Sequence, residues 1–396
     1  MKSLLKLAMA LALLTPILKA QDTRLDAYLR AGKLQEGVAA FSQASTDGDR
    51  FSLAVLQSLQ GLQQFANGAG ELGLQRTLAN SGLPFFRTAQ HPPAAAAVQA
   101  TPEKVAQLFQ NLREALKKAN ATLAKVGDSD FKVQVNLSQA YLENKDGLPA
   151  MPLADSLGQI LGLRTSSEQD LIVNFDSADA AWLKGYTHVL LGVLDIVMTY
   201  DWRPVWNQAA QVFFVSPDPL PPIAKYTLNN QGPGFSLWAD LIAAVHEIRL
   251  EVIDPAGLRK AVAEFQSAIV CSRLCWKRVL AETDDDHEWL PSPKQTGPRG
   301  SRITQAEIDG WLAVLSEVDG ILAGKKLLPH WRVITGVGIN VPKLAQTPPK
   351  LDLVLFLQGS ALVPYIEGGD VSGQLRWNTL LAPFDSGFTR FALWSN

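Results

Sequence analysis

A mainly α fold is predicted: a helical bundle opened by an N-terminal helical hairpin, with at most a minor β element. Three observations predict it. Apolar residues recur at three- and four-residue spacing along most of the chain. Several of these runs open on residues that cap helices. Two-residue alternation is confined to one stretch near Val133. The chain has 396 residues, 47% of them hydrophobic, so it can bury a large core as one domain or two.

The first twenty residues differ from the rest. Lys2 and Lys6 give a positive start, Leu7 to Leu14 is an unbroken apolar run, and Pro16 breaks it. Leu18-Lys19-Ala20 then presents residues suited to a signal peptidase, with cleavage after Ala20. The run is shorter than the roughly 20 apolar residues that a membrane span needs. The expected organisation is a signal peptide at 1–20, an N-terminal helical hairpin region at 21–87, a Pro/Ala linker at 88–100 and a main helical domain at 101–396. No transmembrane span is expected once the signal is removed.

Charge narrows the partners. The full chain has 36 Lys+Arg and 38 Asp+Glu; without Lys2, Lys6 and Lys19 the balance is 33 to 38, a formal charge of −5. This argues against nucleic acid, which selects a clustered basic surface, and against electrostatic attachment to anionic lipid. The two cysteines, Cys271 and Cys275, lie four apart in one predicted helix. That spacing holds Cβ atoms about 5–6 Å apart, too far for a disulfide, so both read as small buried apolar residues.

Residues 22–66 read as two helices. The first carries Leu25, Tyr28, Leu29, Leu34, Val38 and Phe41, the second Leu53, Leu56, Leu59, Leu62 and Phe65, with a turn at Thr46-Asp47-Gly48-Asp49. Tyr28, Gly32, Phe41 and Ala44 match offsets of half a tetratricopeptide repeat, but no second copy follows, and a solenoid needs about three. The next helix starts at Thr101 with Pro102 in the first turn. Its face runs Val105, Leu108, Phe109, Leu112, Leu116, Ala119 and Leu123.

Residues 131–142 alternate and predict a strand. A central buried helix is predicted from Ser177 to Tyr200, apolar nearly all round. A Pro-rich loop follows, then helices at 235–251 and 255–281, the second opened by Asp254-Pro255. Thr304 and Glu307 form a capping box, and Ile303 and Ile308 a hydrophobic staple, for a helix at 304–323. The helices at 177–200, 235–251, 255–281 and 304–323 are expected to form the central bundle. Thr347-Pro348-Pro349 suggests a helix across 351–363. Phe384, Phe388, Phe391 and Trp394 call for a core at the C-terminal end.

Several patterns bear on chemistry. Gly68-Ala69-Gly70-Glu71-Leu72-Gly73 matches a dinucleotide fingerprint but follows a helix instead of a strand, and reads better as a helix end. Asn144-Lys145-Asp146-Gly147 has the centre of a calcium loop, yet Leu142 and Leu153 occupy its terminal ligand positions. Trp206, Trp289, Trp331 and Trp377 lie near loops, where they would stack on sugars or pack in the core.

On the central helix, Lys184, His188, Asp195 and Thr199 share a stripe about 60° wide. It predicts either a His/Asp site facing a cleft, with His246 as a partner, or a structural polar network. Asp284-Asp285-Asp286-His287-Glu288 is the densest acidic cluster. It suits either a solvated loop or a hard divalent cation. The expected ligand set for such an ion is His188, Asp195, His246, Asp284, Asp285 and Asp286.

Ala281-Glu282-Thr283-Asp284-Asp285-Asp286-His287-Glu288-Trp289, with Gln358-Gly359-Ser360-Ala361 and Pro364-Tyr365-Ile366-Glu367, resembles a family of secreted bacterial proteins without assigned activity. The resemblance covers most of the mature chain. It implies a bacterial, exported protein, periplasmic or extracellular, and transfers no catalytic residue.

No Gly-x-Ser-x-Gly or His-Glu-x-x-His motif occurs in the mature chain. The first functional reading is therefore a non-enzymatic binding or interaction protein with a periplasmic or cell-surface protein partner. The alternative is a metal-dependent hydrolase-like enzyme using a His/Asp site and a metal-activated water.

Overall fold

The computed structural model describes residues 21–75, 98–142, 171–225 and 235–394, together with Leu153. The signal segment 1–20, most of the 88–100 linker and the turn at 144–147 lie outside the described residues.

The predicted first helix is two short ones, α1 (Arg24–Arg30) and α2 (Leu34–Ala40). They break at Gly32, whose φ of +61° lies in the left-handed region that glycine tolerates. Helix α3 (Asp47–Glu71) starts inside the expected turn, because the Thr46 hydroxyl accepts from the Asp49 N–H and caps it. Helix α4 (Pro102–Leu123) has the Thr101 cap and early proline that the sequence predicts.

Strands β1 (Val133–Asn136) and β2 (Ile172–Phe175) pair antiparallel, Val133 opposite Phe175. Helices α5 (Ser177–Met198) and α6 (Arg203–Phe213) follow. Pro204 does not belong to the Pro-rich loop expected after this central helix; it is a first-turn proline of α6. Helix α7 (Phe235–Glu247) ends earlier than expected, because the chain turns extended at β3 (Arg249–Leu250). Helix α8 (Gly257–Val279) starts after Ala256, whose N–H is held by the Asp254 carboxylate.

Helix α9 (Gln305–Leu322) carries the expected capping box. Beyond it lie β4 (Val337–Ile339), α10 (Val341–Gln346), β5 (Leu351–Asp352), α11 (Leu353–Gln358), β6 (Ile366–Gly368), α12 (Gln374–Leu381) and α13 (Phe388–Trp394). The start of α11 is set by Asp352, whose side chain accepts from the Leu355 N–H, and not by the prolines at 348–349. Strands β3 and β5 pair antiparallel, as do β4 and β6. The chain is thus mainly α with small two-stranded sheets.

The bundle differs from expectation in one member. Helix α5 packs along α8 and against α4, α4 against α3, and α9 against α8. Helix α7 packs instead on α6 and reaches α11, outside the central group. Close approach explains two glycines of α3, one of them in the fingerprint-like run. A Cβ at Gly61 would lie 2.6 Å from that of Ala115, and one at Gly68 2.4 Å from Leu108. Gly68, the first glycine of the fingerprint-like run, therefore serves with Gly61 to let α3 sit close on α4.

One core cluster runs from Leu25 through Val133, Val173 and Trp276 to Phe384 and Phe391. Trp276 is fully buried and stacked on Phe391 at 5.8 Å. Cys271 and Cys275 are free and buried within α8, and burial raises both thiols above their usual range. By length and composition alone α5 could cross a membrane. In this fold it lies among α4 and α8 and pairs Asp195 with Arg113.

Candidate functional site

At the N-terminal end of α5 the sequence places two aspartates in a reciprocal cap. Asp176 Oδ1 accepts from the Ala178 N–H at 2.7 Å, and Asp179 Oδ2 accepts from the Asp176 N–H at 2.9 Å. Both side chains are pulled beneath the surface because the helix they cap is buried. The segment after α8 folds over them. Its backbone joins β2, with the Asn174 N–H donating to the His287 carbonyl at 3.0 Å and the Asn174 side-chain amide to the Asp286 carbonyl at 2.8 Å. This crossing drives Glu288 inward beside Asp176. His287 takes a φ of 59° as the chain turns, an uncommon conformation for a residue with a side chain.

The result is a buried carboxylate cluster. Asp176, Glu282 and Glu288 each place one oxygen within 4.8 Å of the others. Relative exposure is 8% for Asp176, 3% for Asp179 and 2% for Glu288. Lys132, just ahead of β1, reaches in from the far side. Its ammonium lies 3.2 Å from Glu288, 3.2 Å from Asp284 and 3.4 Å from Asp176. Gln295 closes the loop, donating to Glu282 Oε2 at 3.2 Å and to the Asp284 carbonyl at 2.7 Å.

Five acidic side chains thus gather around one lysine. Burial, reinforced by the Asp176 charge, pushes Glu282 up to about 8. Burial also raises Glu288 to about 7, against the opposing pull of Lys132. Asp179 is raised well above the carboxylate range by burial and by Asp176. Lys132 is held more firmly protonated by the surrounding acids, although burial works against it. The like-charge repulsion that Lys132 does not offset is relieved in one of two ways: the site keeps protons, or it takes up a further cation. Oxygens up to 4.8 Å apart can lie on opposite sides of one ion at calcium's 2.3–2.6 Å distances, whereas magnesium's 2.0–2.1 Å would require a tighter set.

The residues expected from sequence to form a metal set are dispersed. His188 Nδ1 lies 2.6 Å from Glu264 Oε2 on α8. Asp195 is buried and accepts from Arg113 Nε at 2.7 Å. At 1.5 Å per residue these two positions are roughly 18 and 28 Å along α5 from Asp176. His246 is exposed in the last turn of α7. Of the acidic run, Asp284 joins the cluster through Lys132, Asp285 accepts from the Thr296 N–H at 2.8 Å, and Asp286 accepts from the Gln21 side chain at 2.9 Å. The stripe on α5 and the 284–288 segment therefore do not converge.

Lys132, Asp176, Asp179 and Glu282 were missed. The only signal in the sequence was the Asp176/Asp179 cap in front of an apolar helix. Lys132 also lines an open surface depression of about 540 Å³, with Ser45, Asp47, Arg50 and Ser129 among its walls. Trp289 is buried between Phe175 and Trp182, and Trp206 is buried against Phe214. Trp331 is open to solvent. Comparison of the chain with protein families, with curated proteins and with solved structures found no match.

Proposed function

We propose that this chain is an exported helical binding or interaction protein, not an enzyme, whose fold is tied together by the buried carboxylate cluster. The observation that carries this reading is the burial of the chemistry. Asp176, Asp179 and Glu288 are at most 8% exposed, beneath a loop held to β2 by its backbone. A metal site that turns over substrate keeps an open coordination position, whereas a closed one stabilises a fold. The positive start and apolar run of residues 1–20 support export, and with it a periplasmic or extracellular location. The partner class that fits is another periplasmic or cell-surface protein.

A second reading, a metal-dependent hydrolase, is favoured by one feature. Lys132 belongs both to the cluster and to the open depression beside it, so an ion at Asp176, Glu282 and Glu288 would sit next to accessible space. Metal analysis and melting of residues 21–396, with and without a chelator, separate the two when combined with turnover assays on phosphoester and ester substrates. The binding-protein reading expects added calcium to raise the melting temperature without turnover. Metal-dependent hydrolysis abolished by Glu288→Gln would overturn it.

A further inference from the structure

Gln21, the residue that follows the expected cleavage point, is held at both ends of its side chain. The Asp22 N–H donates to the Lys132 carbonyl at 3.1 Å, and the Gln134 N–H to the Asp22 carbonyl at 3.0 Å. The chain here therefore lies extended beside β1, pairing as a strand does. The Gln21 amide oxygen accepts from Gln134 Nε2 at 2.7 Å, and its amide nitrogen donates to Asp286 Oδ2 at 2.9 Å. Both partners are positioned by Asn174, which is fully buried. Asn174 Oδ1 accepts from Gln134 Nε2 at 3.0 Å, and the Asn174 amide donates to the Asp286 carbonyl at 2.8 Å. Gln21 is exposed, yet its amide ties β1 to the loop that covers Asp176 and Glu288.

A glutamine at a free N-terminus has one reaction open to it. Its α-amine attacks its own Cδ, the new Cδ–N bond forms, and the Cδ–Nε2 bond breaks. Ammonia leaves with the proton that the amine gives up, and a pyroglutamate lactam remains. No oxidant or second reactant is needed. Before cleavage the nitrogen of residue 21 is a peptide amide and does not attack. We propose that Gln21 is a modification site gated by the fold: pyroglutamate forms there only when the 284–288 loop releases the side chain. Ring closure needs the amine and Cδ in near-attack geometry. Folding the side chain back on the main chain draws both amide atoms away from Gln134 and Asp286, so both hydrogen bonds must be given up first.

The step is one-way, and it removes what holds the loop. The lactam has no Nε2 to donate to Asp286. It also has no α-ammonium, a charge that stands within roughly 9 Å of the Asp286 carboxylate, because five bonds span at most about 6 Å from it to Nε2. That distance is inside the Debye length of about 10 Å at 0.1 M salt. A cyclised terminus thus records that the loop has opened and leaves it less firmly closed. The inference rests on the export reading, since it needs the terminus that cleavage after Ala20 leaves.

The test uses residues 21–396 released from a fusion cut immediately before Gln21. Loss of ammonia is followed by intact mass in phosphate buffer, native and in guanidinium chloride, with a peptide of residues 21–30 correcting for the denaturant. Two hydrogen bonds, each worth a factor of about two to ten, should slow the folded chain at least about fivefold. Gln134→Ala with Asp286→Ala should bring the folded rate up to the unfolded one, with a cooperative melt showing that the variant folds. Should that pair not fold, Asp286→Ala alone should raise the rate by the smaller factor. A folded wild type that cyclises as fast as the unfolded chain, or folded variants as slow as wild type, would overturn the proposal. The N-terminal sequence of the chain exported by a bacterial host tests the export reading separately. A terminus other than Gln21 overturns the cleavage and the site with it, whereas Gln21 with equal rates overturns the gating alone.

Discussion

Glu282 ionises near pH 8 in the folded chain because burial and the Asp176 carboxylate disfavour its charged form, and Glu288 near 7 because burial outweighs Lys132. In the unfolded chain both would ionise in the ordinary glutamate range, about 4.3. Between those values the folded state holds more protons than the unfolded one. The stabilisation from protonation is therefore complete below about pH 4 and is lost as pH rises toward 8. Melting temperatures in chelator should fall between pH 5 and pH 8. Glu282→Gln, which imitates the protonated side chain, should make that fall shallower; a slope equal to wild type would count against the cluster as its source. Calcium should act in the opposite sense, stabilising most at pH 8, where the carboxylates ionise.

These residues were nearly illegible in the sequence because Lys132 meets Asp176 and Glu288 across separations of 44 and 156 residues. The conspicuous acids at 284–286 mark the loop that closes the site, while the half-buried Glu282 and the buried Glu288 flank them. The stripe on α5 was legible as a pattern, but local spacing could not show that His188 and Asp195 find separate partners on α8 and α4.

Helices were legible where a cap and an amphipathic face agreed. Thr101 with Pro102 and Thr304 with Glu307 placed α4 and α9 to within a residue or two at their starts. Beyond residue 324 the elements are mostly six to eight residues long and are held by tertiary pairing, such as Gly338 in β4 opposite Glu367 in β6. Such segments carry too little periodicity to be read alone. The α3–α4 contact offers an element-scale test. In an isolated helix Gly→Ala is worth about 1 kcal/mol of added stability. At Gly61 the new methyl would meet the Ala115 Cβ at 2.6 Å, an atom that cannot rotate away. Gly61→Ala should therefore destabilise the chain by about 1–3 kcal/mol through overpacking. Adding Ala115→Gly should recover most of the loss by reopening the space. Urea denaturation of the two variants checks this, and a stabilised single variant would show that the helices part without cost.

At the scale of the whole molecule the question is whether the expected division near residues 88–100 separates two folding units. The core argues for one. Leu25, Leu29, Leu34, Phe41 and Phe51, all before that segment, belong to the same buried cluster as Ile269, Trp276, Trp311 and Phe391. The cluster is continuous through the β1–β2 pair, where Val133, Val135 and Val173 are fully buried. The carboxylate site adds a polar tie in the same place, linking Lys132 beside β1 to the end of α5 and to the loop after α8. With the packing shared in this way, the N-terminal helices cannot be exposed without stripping apolar surface from β1, α4 and α5, which belong to the same core. Calorimetry of residues 21–396 should then show one transition, with calorimetric and van't Hoff enthalpies in agreement. Trp276→Ala, made far from the N-terminal helices in sequence, should cost about 3–5 kcal/mol and move the whole transition. A variant that lowers only part of the heat absorption, leaving a second transition at the original temperature, would show that the N-terminal helices fold as a unit of their own despite the shared core.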